Sequence, residues 1–257
     1  MRGISLGAHA RSLVRGWLPA AVLERYRVAH LVRRARKLGR LAATADSVDA
    51  CCDTIDTFPE FRPYQQRAEL LAFLERAAAL QPAAICEIGA ASGGTLCALA
   101  HAARPSVVIS IDIDFTSARL EALPRLGRAD QAIACIAGDS HGEPVRARVA
   151  EVLRGRPLDL LFIDGDHSYA GVRADFEAYS GFVRPGGLIG FHDIVPDFKT
   201  RYGTPTAADS GGVPEFWREL TAAYPDHEEL VASRDQDGYG IGLLRWPGSR
   251  ASAGGRP

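Results

Sequence analysis

A chain of 257 residues, 47% hydrophobic and 24% charged, can build one sizeable core plus an extension, and it has no apolar run near the ~20 residues that a membrane span needs. The net charge of −1 conceals an asymmetry: residues 1–41 hold ten Arg or Lys against the single acid Glu24, and the remainder holds 20 basic against 30 acidic residues. An acidic main body argues against nucleic acid as substrate, and five cysteines without a CxxC pair or zinc-ligand spacing argue against a zinc module and for a reducing cytoplasm.

The first 41 residues are too arginine-dense, and their apolar runs too short, for a secretory signal. Leu13, Val14, Trp17, Leu18, Val22, Leu23, Tyr26, Leu31, Val32 and Leu38 alternate with arginines, and Gly16 and Pro19 interrupt the early part. Residues 20–41 therefore read as a basic amphipathic helix. It suits either packing on the acidic body or a second copy of the chain, or peripheral contact with an anionic surface such as the inner membrane face.

Residues 44–64 read as a linker with short helical pieces, and residues 65–80 as a helix on Leu70, Leu71, Phe73, Leu74 and Leu80. Strands and helices then alternate. Strands are expected near 83–88, 106–112, 131–137, 158–164 and 187–192, and helices near 93–103, 115–127, 142–154, 169–182 and 213–224. This order implies an α/β fold with a mostly parallel sheet covered on both faces. The runs 228–233 and 239–246 are separated by only Arg234-Asp235-Gln236-Asp237-Gly238, too little for a crossover helix, so they are expected as antiparallel neighbours with a reversed last strand. Residues 247–257, rich in Gly, Ser, Ala and Pro, read as a disordered tail. The expected organisation is thus an N-terminal extension and linker (1–64), a ligand-binding domain (65–246) and a tail.

Chemistry concentrates at the strand ends. Glu87-Ile88-Gly89-Ala90-Ala91-Ser92-Gly93-Gly94-Thr95 links a strand to a helix through a glycine turn, where missing Cβ atoms let backbone approach a ligand. Asp112 ends the next strand, nineteen residues after Gly93, where a carboxylate can accept ribose hydroxyls. Asp139, Asp164 and Asp193 follow at the ends of later strands, on the edge where open parallel sheets bind ligands. The turn lacks the third glycine of GxGxxG, and Glu87 would repel a pyrophosphate; both features favour a phosphate-free nucleoside cofactor over NAD.

The nine-residue turn resembles motif I of class I S-adenosylmethionine-dependent methyltransferases. Asp112 resembles their ribose-binding acid and Gly138-Asp139-Ser140 their adenine segment. The runs 162–169, Pro185-Gly186-Gly187, Phe191-His192-Asp193 and Gly238-Tyr239-Gly240-Ile241-Gly242 resemble the branch that includes macrolide-sugar O-methyltransferases and cephalosporin-hydroxylase-like proteins. The resemblance spans residues 65–246 and implies a Rossmann-like seven-stranded fold, S-adenosylmethionine as cofactor, and methylation of a hydroxyl on a small molecule or sugar. A hydroxylase-like or oxidoreductase relative, or a non-catalytic docking module, are the alternatives.

On this reading Glu87, Gly89, Ser92, Gly93, Asp112, Asp139 and Ser140 hold cofactor. The resemblance implies His167 as general base, with Asp164 and His192 beside it. Asp164, His192 and Asp193 form a candidate site for Mg²⁺ or another divalent metal. The family branch carries an acid pair where this chain has His192-Asp193, and imidazole suits Mn²⁺, Fe²⁺ or Zn²⁺ better than Mg²⁺. Asp166 is a candidate partner or helix cap, residues 196–212 a candidate lid or equally a disordered surface loop, and Phe216 and Trp217 core.

Overall fold

The computed structural model describes residues 19–248. Leu13, Val14, Gly16, Trp17 and Leu18, and the tail from residue 249, lie outside them. Among the described residues no helix is long and apolar enough to cross a membrane.

The centre is a seven-stranded sheet in the order β3-β2-β1-β4-β5-β7-β6. The strands are β1 (Ala84–Ile88), β2 (Val107–Asp112), β3 (Ala132–Ala137), β4 (Leu158–Ile163), β5 (Val183–His192), β6 (His227–Leu230) and β7 (Ile241–Arg245). The first five are parallel, while β7 runs antiparallel to both β5 and β6. The reversed last strand is thus present, and it lies between β5 and β6 rather than at the edge. Each residue of β1 is buried, as a central strand covered on both faces requires.

Helices cover both faces. One layer comprises α1 (Ala20–Ala42), α2 (Val48–Asp56), α3 (Arg67–Leu80), α4 (Gly94–Ala102) and α5 (Ser117–Ala122). The other comprises α6 (Glu143–Leu153), α7 (Tyr169–Tyr179) and α9 (Val213–Ala223), with the short α8 (Phe198–Tyr202) in the loop before α9. The alternation of side chains along each strand divides the apolar residues between two cores: Ile85 and Val108 face the first layer, Cys86 and Ile109 the second. Phe216 and Trp217 are buried in the second core, as expected.

Three stretches differ from their sequence reading. Residues 44–64 are no spacer: Ser47 caps α2 by accepting from Ala50 N at 3.1 Å, and Cys51, Cys52, Ile55, Phe58 and Phe61 are buried in the first core. The short helical pieces expected there are present, with Val48, Cys51, Cys52 and Ile55 at i, i+3, i+4 and i+7 of α2, and it is the burial of the segment that the linker reading did not foresee. The helix expected over 115–127 stops at Ala122 and continues as a 3₁₀ turn, Leu123–Arg125, around Pro124. Residues 196–212 include α8 and are pinned at both ends. The buried Asp197 accepts from Thr200 N at 2.7 Å and Ser210 N at 3.0 Å, and Ser210 Oγ donates to the Val195 carbonyl at 2.7 Å.

Helix α1 packs one side onto this body through Ala35, Leu38 and Ala42, and Arg34 Nε donates to Glu60 at 2.8 Å. All five cysteines are free thiols; Cys51, Cys52, Cys86 and Cys97 are buried and Cys135 partly so.

Candidate functional site

The strand order reverses direction between β1 and β4, and the crevice outside the strand ends opens there. Main-chain bonds carry the ladder one step past the strands: Gly89 N donates to the Ile111 carbonyl and Asp164 N to the Ile88 carbonyl, each at 2.9 Å. The ends of β1, β2 and β4 are thereby level, and a cavity of about 710 Å³ lies above them. Gly89, Asp112, Asp139 and Ser140 line one part of it; Asp164, His167, His192 and Asp193 line another. Glu87, Ser92 and Gly93 are not among its wall residues. Among the described residues no Lys or Arg lines the cavity.

The glycines of the turn are also required by the packing of the chain itself. Gly89 has φ +87°, and a Cβ there would lie 1.8 Å from the Asp164 carbonyl oxygen. At Gly93 a Cβ would meet the Leu123 side chain at 2.3 Å. The space left by the missing Cβ atoms is filled by protein, and the close approach is of chain to chain. Ser92 Oγ donates to the Arg62 carbonyl at 2.6 Å, so it anchors the turn to the segment before α3.

Glu87 stands behind this turn, 1% exposed, with Oε2 accepting from Ser110 Oγ at 2.9 Å and Oε1 buried without a partner. Burial raises its carboxyl to about 8, assisted by Asp164 and Asp112 and opposed by Ser110. Asp112 accepts from Ala91 N through Oδ2 and from Asp114 N through Oδ1, both at 2.7 Å. A carboxylate offers about four acceptor positions, so capacity for ligand hydroxyls remains. Asp139 accepts from His141 N at 2.9 Å, and the Ser140 carbonyl accepts from Tyr179 Oη at 2.8 Å, which aims this segment along the cavity rim.

The second half of the cavity is a cluster of two carboxylates and two imidazoles. His192 Nδ1 lies 3.1 Å from Asp164 Oδ1 and 3.0 Å from Asp193 Oδ2. His167 Nε2 is 3.5 Å from Asp164 Oδ1, and its Nδ1 is 3.6 Å from Asp193 Oδ2 and 2.5 Å from the Asp209 carbonyl. A carbonyl only accepts, so His167 Nδ1 carries hydrogen and Nε2 is the nitrogen left for chemistry. Asp193 holds φ +61°, a strained conformation for a residue with a Cβ, and its Oδ1 accepts from Tyr239 N at 2.9 Å.

Charge follows from this packing. Burial opposes ionisation of Asp164, yet His192 and His167 outweigh it and hold the carboxyl at about 2. Interaction with Asp164 raises His167 to about 9 against the effect of burial, with help from Asp193. Burial also opposes charge on His192, but Asp164 and Asp193 raise it to about 10. Both imidazoles are therefore mainly cationic at neutral pH, and His167 Nε2 has a lone pair only in the minor neutral form.

A metal has a matching donor set here: Asp164, His167 and Asp193 each offer one ligand atom within 4.8 Å of the others. His192, expected from sequence as the third member of the group, brings its Nδ1 to 3.1 and 3.0 Å from oxygens of the same two carboxylates. A mixed nitrogen and oxygen set suits Mn²⁺, Fe²⁺ or Zn²⁺ better than Mg²⁺.

Several contributors were not foreseen. Gln65 Nε2 donates to Asp164 Oδ2 at 2.6 Å while its Oε1 accepts from Thr95 Oγ1 at 2.8 Å. Tyr64 and Tyr239 line the cavity, and the buried Glu69 accepts from Gly240 N at 2.9 Å, holding the loop that carries Tyr239. Only Tyr239 had a sequence signal, its place between two glycines. Ser168 caps α7 by accepting from Gly171 N at 3.0 Å, and Asp166 supports that cap residue by accepting from Ser168 N at 2.8 Å. The loop 196–212 contributes Ala207, Ala208 and Asp209 to the wall.

Residues 86–194 match the sequence profile of a family described as methyltransferase domain. A curated relative, the uncharacterized protein y4gI of Sinorhizobium fredii, is 26% identical over 178 residues; the match covers 58% of this chain but only 18% of that protein's length. The O-methyltransferase TomG of Streptomyces achromogenes, involved in tomaymycin synthesis and solved in complex with SAM, superposes with TM-score 0.52 at 20% identity, over 80% of this chain and 92% of that one. MycE, a methyltransferase of the mycinamycin biosynthetic pathway solved with Mg and SAH, superposes with TM-score 0.52 at 20% identity, over 80% of this chain and 59% of that one. At this identity the structural likenesses establish the fold alone.

Proposed function

We propose that this chain, which carries a methyltransferase domain over residues 86–194 on a Rossmann-like methyltransferase fold, binds S-adenosylmethionine and methylates a hydroxyl of a small molecule or sugar. The observation that carries this reading is the carboxylate-lined cavity at the switch point, free of Lys and Arg among the described residues, with Asp112 held against the glycine turn. A volume of about 710 Å³ suits a nucleoside cofactor together with part of an acceptor. A dinucleotide would bring a pyrophosphate into a carboxylate wall, which disfavours the redox alternative.

The residues present fit this cofactor. Asp112 retains acceptor capacity for the ribose hydroxyls, Gly138-Asp139-Ser140 would take the adenine end, and Glu87 supports the turn from behind with one oxygen still unpartnered. Bound S-adenosylmethionine supplies an electrophilic methyl group. The chain's own task is to hold the acceptor hydroxyl in line and remove its proton. His167 Nε2 is the base in this reading, with Asp164 stabilising the imidazolium and the Asp209 carbonyl holding the ring. A metal held by Asp164, His167 and Asp193 would engage the same imidazole, so the metal and base uses of His167 exclude one another.

The test is calorimetric titration with S-adenosylhomocysteine, using NAD⁺ as comparison. Saturable binding of S-adenosylhomocysteine alone, lost in Asp112→Ala, is expected. Preference for NAD⁺, or no binding of either, overturns the reading.

A second proposal concerns α1, whose solvent side carries Arg33, Arg36, Lys37 and Arg40 in line with Val22 and Tyr26, which are 45% and 61% exposed. Among the described residues none of these four cations pairs with a carboxylate. Cations flanking exposed apolar groups suit an anionic membrane surface. Equal sedimentation with anionic and neutral phospholipid vesicles would refute this.

A further inference from the structure

Asp175, in α7, is fully buried, and among the described residues neither oxygen of its carboxylate accepts a hydrogen bond. A buried carboxylate without partners lowers the stability of a fold, so its presence calls for a reason outside the packing. Its neighbours are wall residues of the cavity. His141 Nε2 lies 3.4 Å from Asp175 Oδ1 and 3.2 Å from the Gly171 carbonyl. A carbonyl only accepts, so Nε2 carries the ring hydrogen and Nδ1 is the acceptor nitrogen. Nδ1 stands 3.6 Å from Asp139 Oδ1, and Asp139, Ser140 and His141 all line the cavity. Burial raises the Asp175 carboxyl to about 6; Ser140 and His141 favour its charged form, and Asp166 and Asp139 oppose it. Tyr179, one turn further along α7, fixes the same segment by donating to the Ser140 carbonyl at 2.8 Å.

We propose that Asp175 is a positioning residue that sets specificity at the adenine end: its carboxylate keeps the His141 ring hydrogen and the Ser140 hydroxyl hydrogen on the inner side, so that the wall from Asp139 to His141 presents acceptors alone and selects a 6-amino over a 6-oxo purine. The proposal deepens the cofactor reading above and rests on it. An exocyclic amine brings two hydrogens to such a wall. A 6-oxo group brings lone pairs against the Asp139 carboxylate and His141 Nδ1 and leaves them unpaired, which costs more than the bond it fails to make. A carboxamide at position 175 can donate as well as accept, which lets the ring hydrogen move to Nδ1 and the Ser140 hydroxyl turn outward. A purely structural Asp175 would leave the choice of purine untouched.

The experiment is calorimetric titration of the full chain with S-adenosylhomocysteine and with S-inosylhomocysteine, its 6-oxo counterpart, in wild type and Asp175→Asn. Wild type is expected to prefer S-adenosylhomocysteine by about 10- to 100-fold, and the variant to lose most of that preference. The variant is also expected to melt no lower than wild type, since the buried charge has no partner to lose. A lower melting temperature with the preference kept marks a packing role and overturns the inference. His141→Phe, which removes the acceptor nitrogen, should lower the preference in the same direction, and it serves as the test if Asp175→Asn fails to fold. Wild type that binds both ligands equally, or variants that keep its preference, overturn this inference alone. Wild type that binds neither ligand overturns the cofactor reading, and this inference with it.

Discussion

Gln65 Nε2 donates to the Asp164 carboxylate at 2.6 Å, across 99 residues of sequence. The same amide accepts from Thr95 in α4, so one side chain ties the glycine turn's helix to the acid at the end of β4. Gln65→Leu removes a donor from a largely buried carboxylate, 12% exposed, and is expected to cost about 1–3 kcal/mol. Gln65→Glu sets a second carboxylate against Asp164 and should cost more, roughly 3–5 kcal/mol at neutral pH. Urea unfolding of both variants checks the order; a Glu variant at least as stable as the Leu variant would mean that Gln65 does not face an ionised Asp164.

Gly89 supplies a sharper test of the turn. Its Cβ would overlap the Asp164 carbonyl at 1.8 Å, and backbone cannot yield as a side-chain tip can. Gly89→Ala is expected to lose several times the roughly 1 kcal/mol that positive φ alone costs. Gly155, at φ +77° with nothing within 4 Å of its absent Cβ, isolates the conformational cost. Similar melting temperatures for Gly89→Ala and Gly155→Ala would show that the turn relaxes.

Glu87 predicts a dependence of stability on pH. Its folded value of about 8 exceeds the ordinary 4.5, so the folded chain binds more protons than the unfolded chain between those values. Stability from this group is full below about 4.5 and falls as pH rises through 8, by on the order of 2–4 kcal/mol. Glu87→Gln should flatten the melting-temperature profile over that window and exceed wild type in stability at pH 8. Parallel profiles for the two proteins would place the titration elsewhere.

His167 predicts the pH dependence of turnover. With the imidazole raised to about 9, the base form grows tenfold per pH unit up to that value, so kcat in the presence of a chelator should climb from pH 7 to 9 and then level. Replacement by Gln should lower kcat by about 10²–10⁴-fold and abolish the climb. A flat profile in wild type would remove His167 from the proton transfer.

The succession of elements and the edge that carries the site were legible in the chain. Apolar strands alternating with helical periods leave parallel crossovers as their arrangement, and parallel strands place all their C-terminal ends together. Asp112, Asp139, Asp164 and Asp193 could therefore be assigned to one cavity without knowing any distance. The five polar residues before Tyr239 likewise made β7 antiparallel, because so short a link cannot cross over.

Tertiary structure alone decided which of those groups touch. Helical and strand periods carry no information about pairs such as Gln65 and Asp164, or Glu69 and Gly240, which meet only because separate elements converge on one edge. The glycine turn shows the same limit: a missing Cβ announces a close approach, but not that the approaching atom is the Asp164 carbonyl rather than a ligand. The placing of His192 Nδ1 between Asp164 and Asp193 depends on the rotation of a side chain at a strand end and on the strained backbone of Asp193, and neither leaves a trace in residue order.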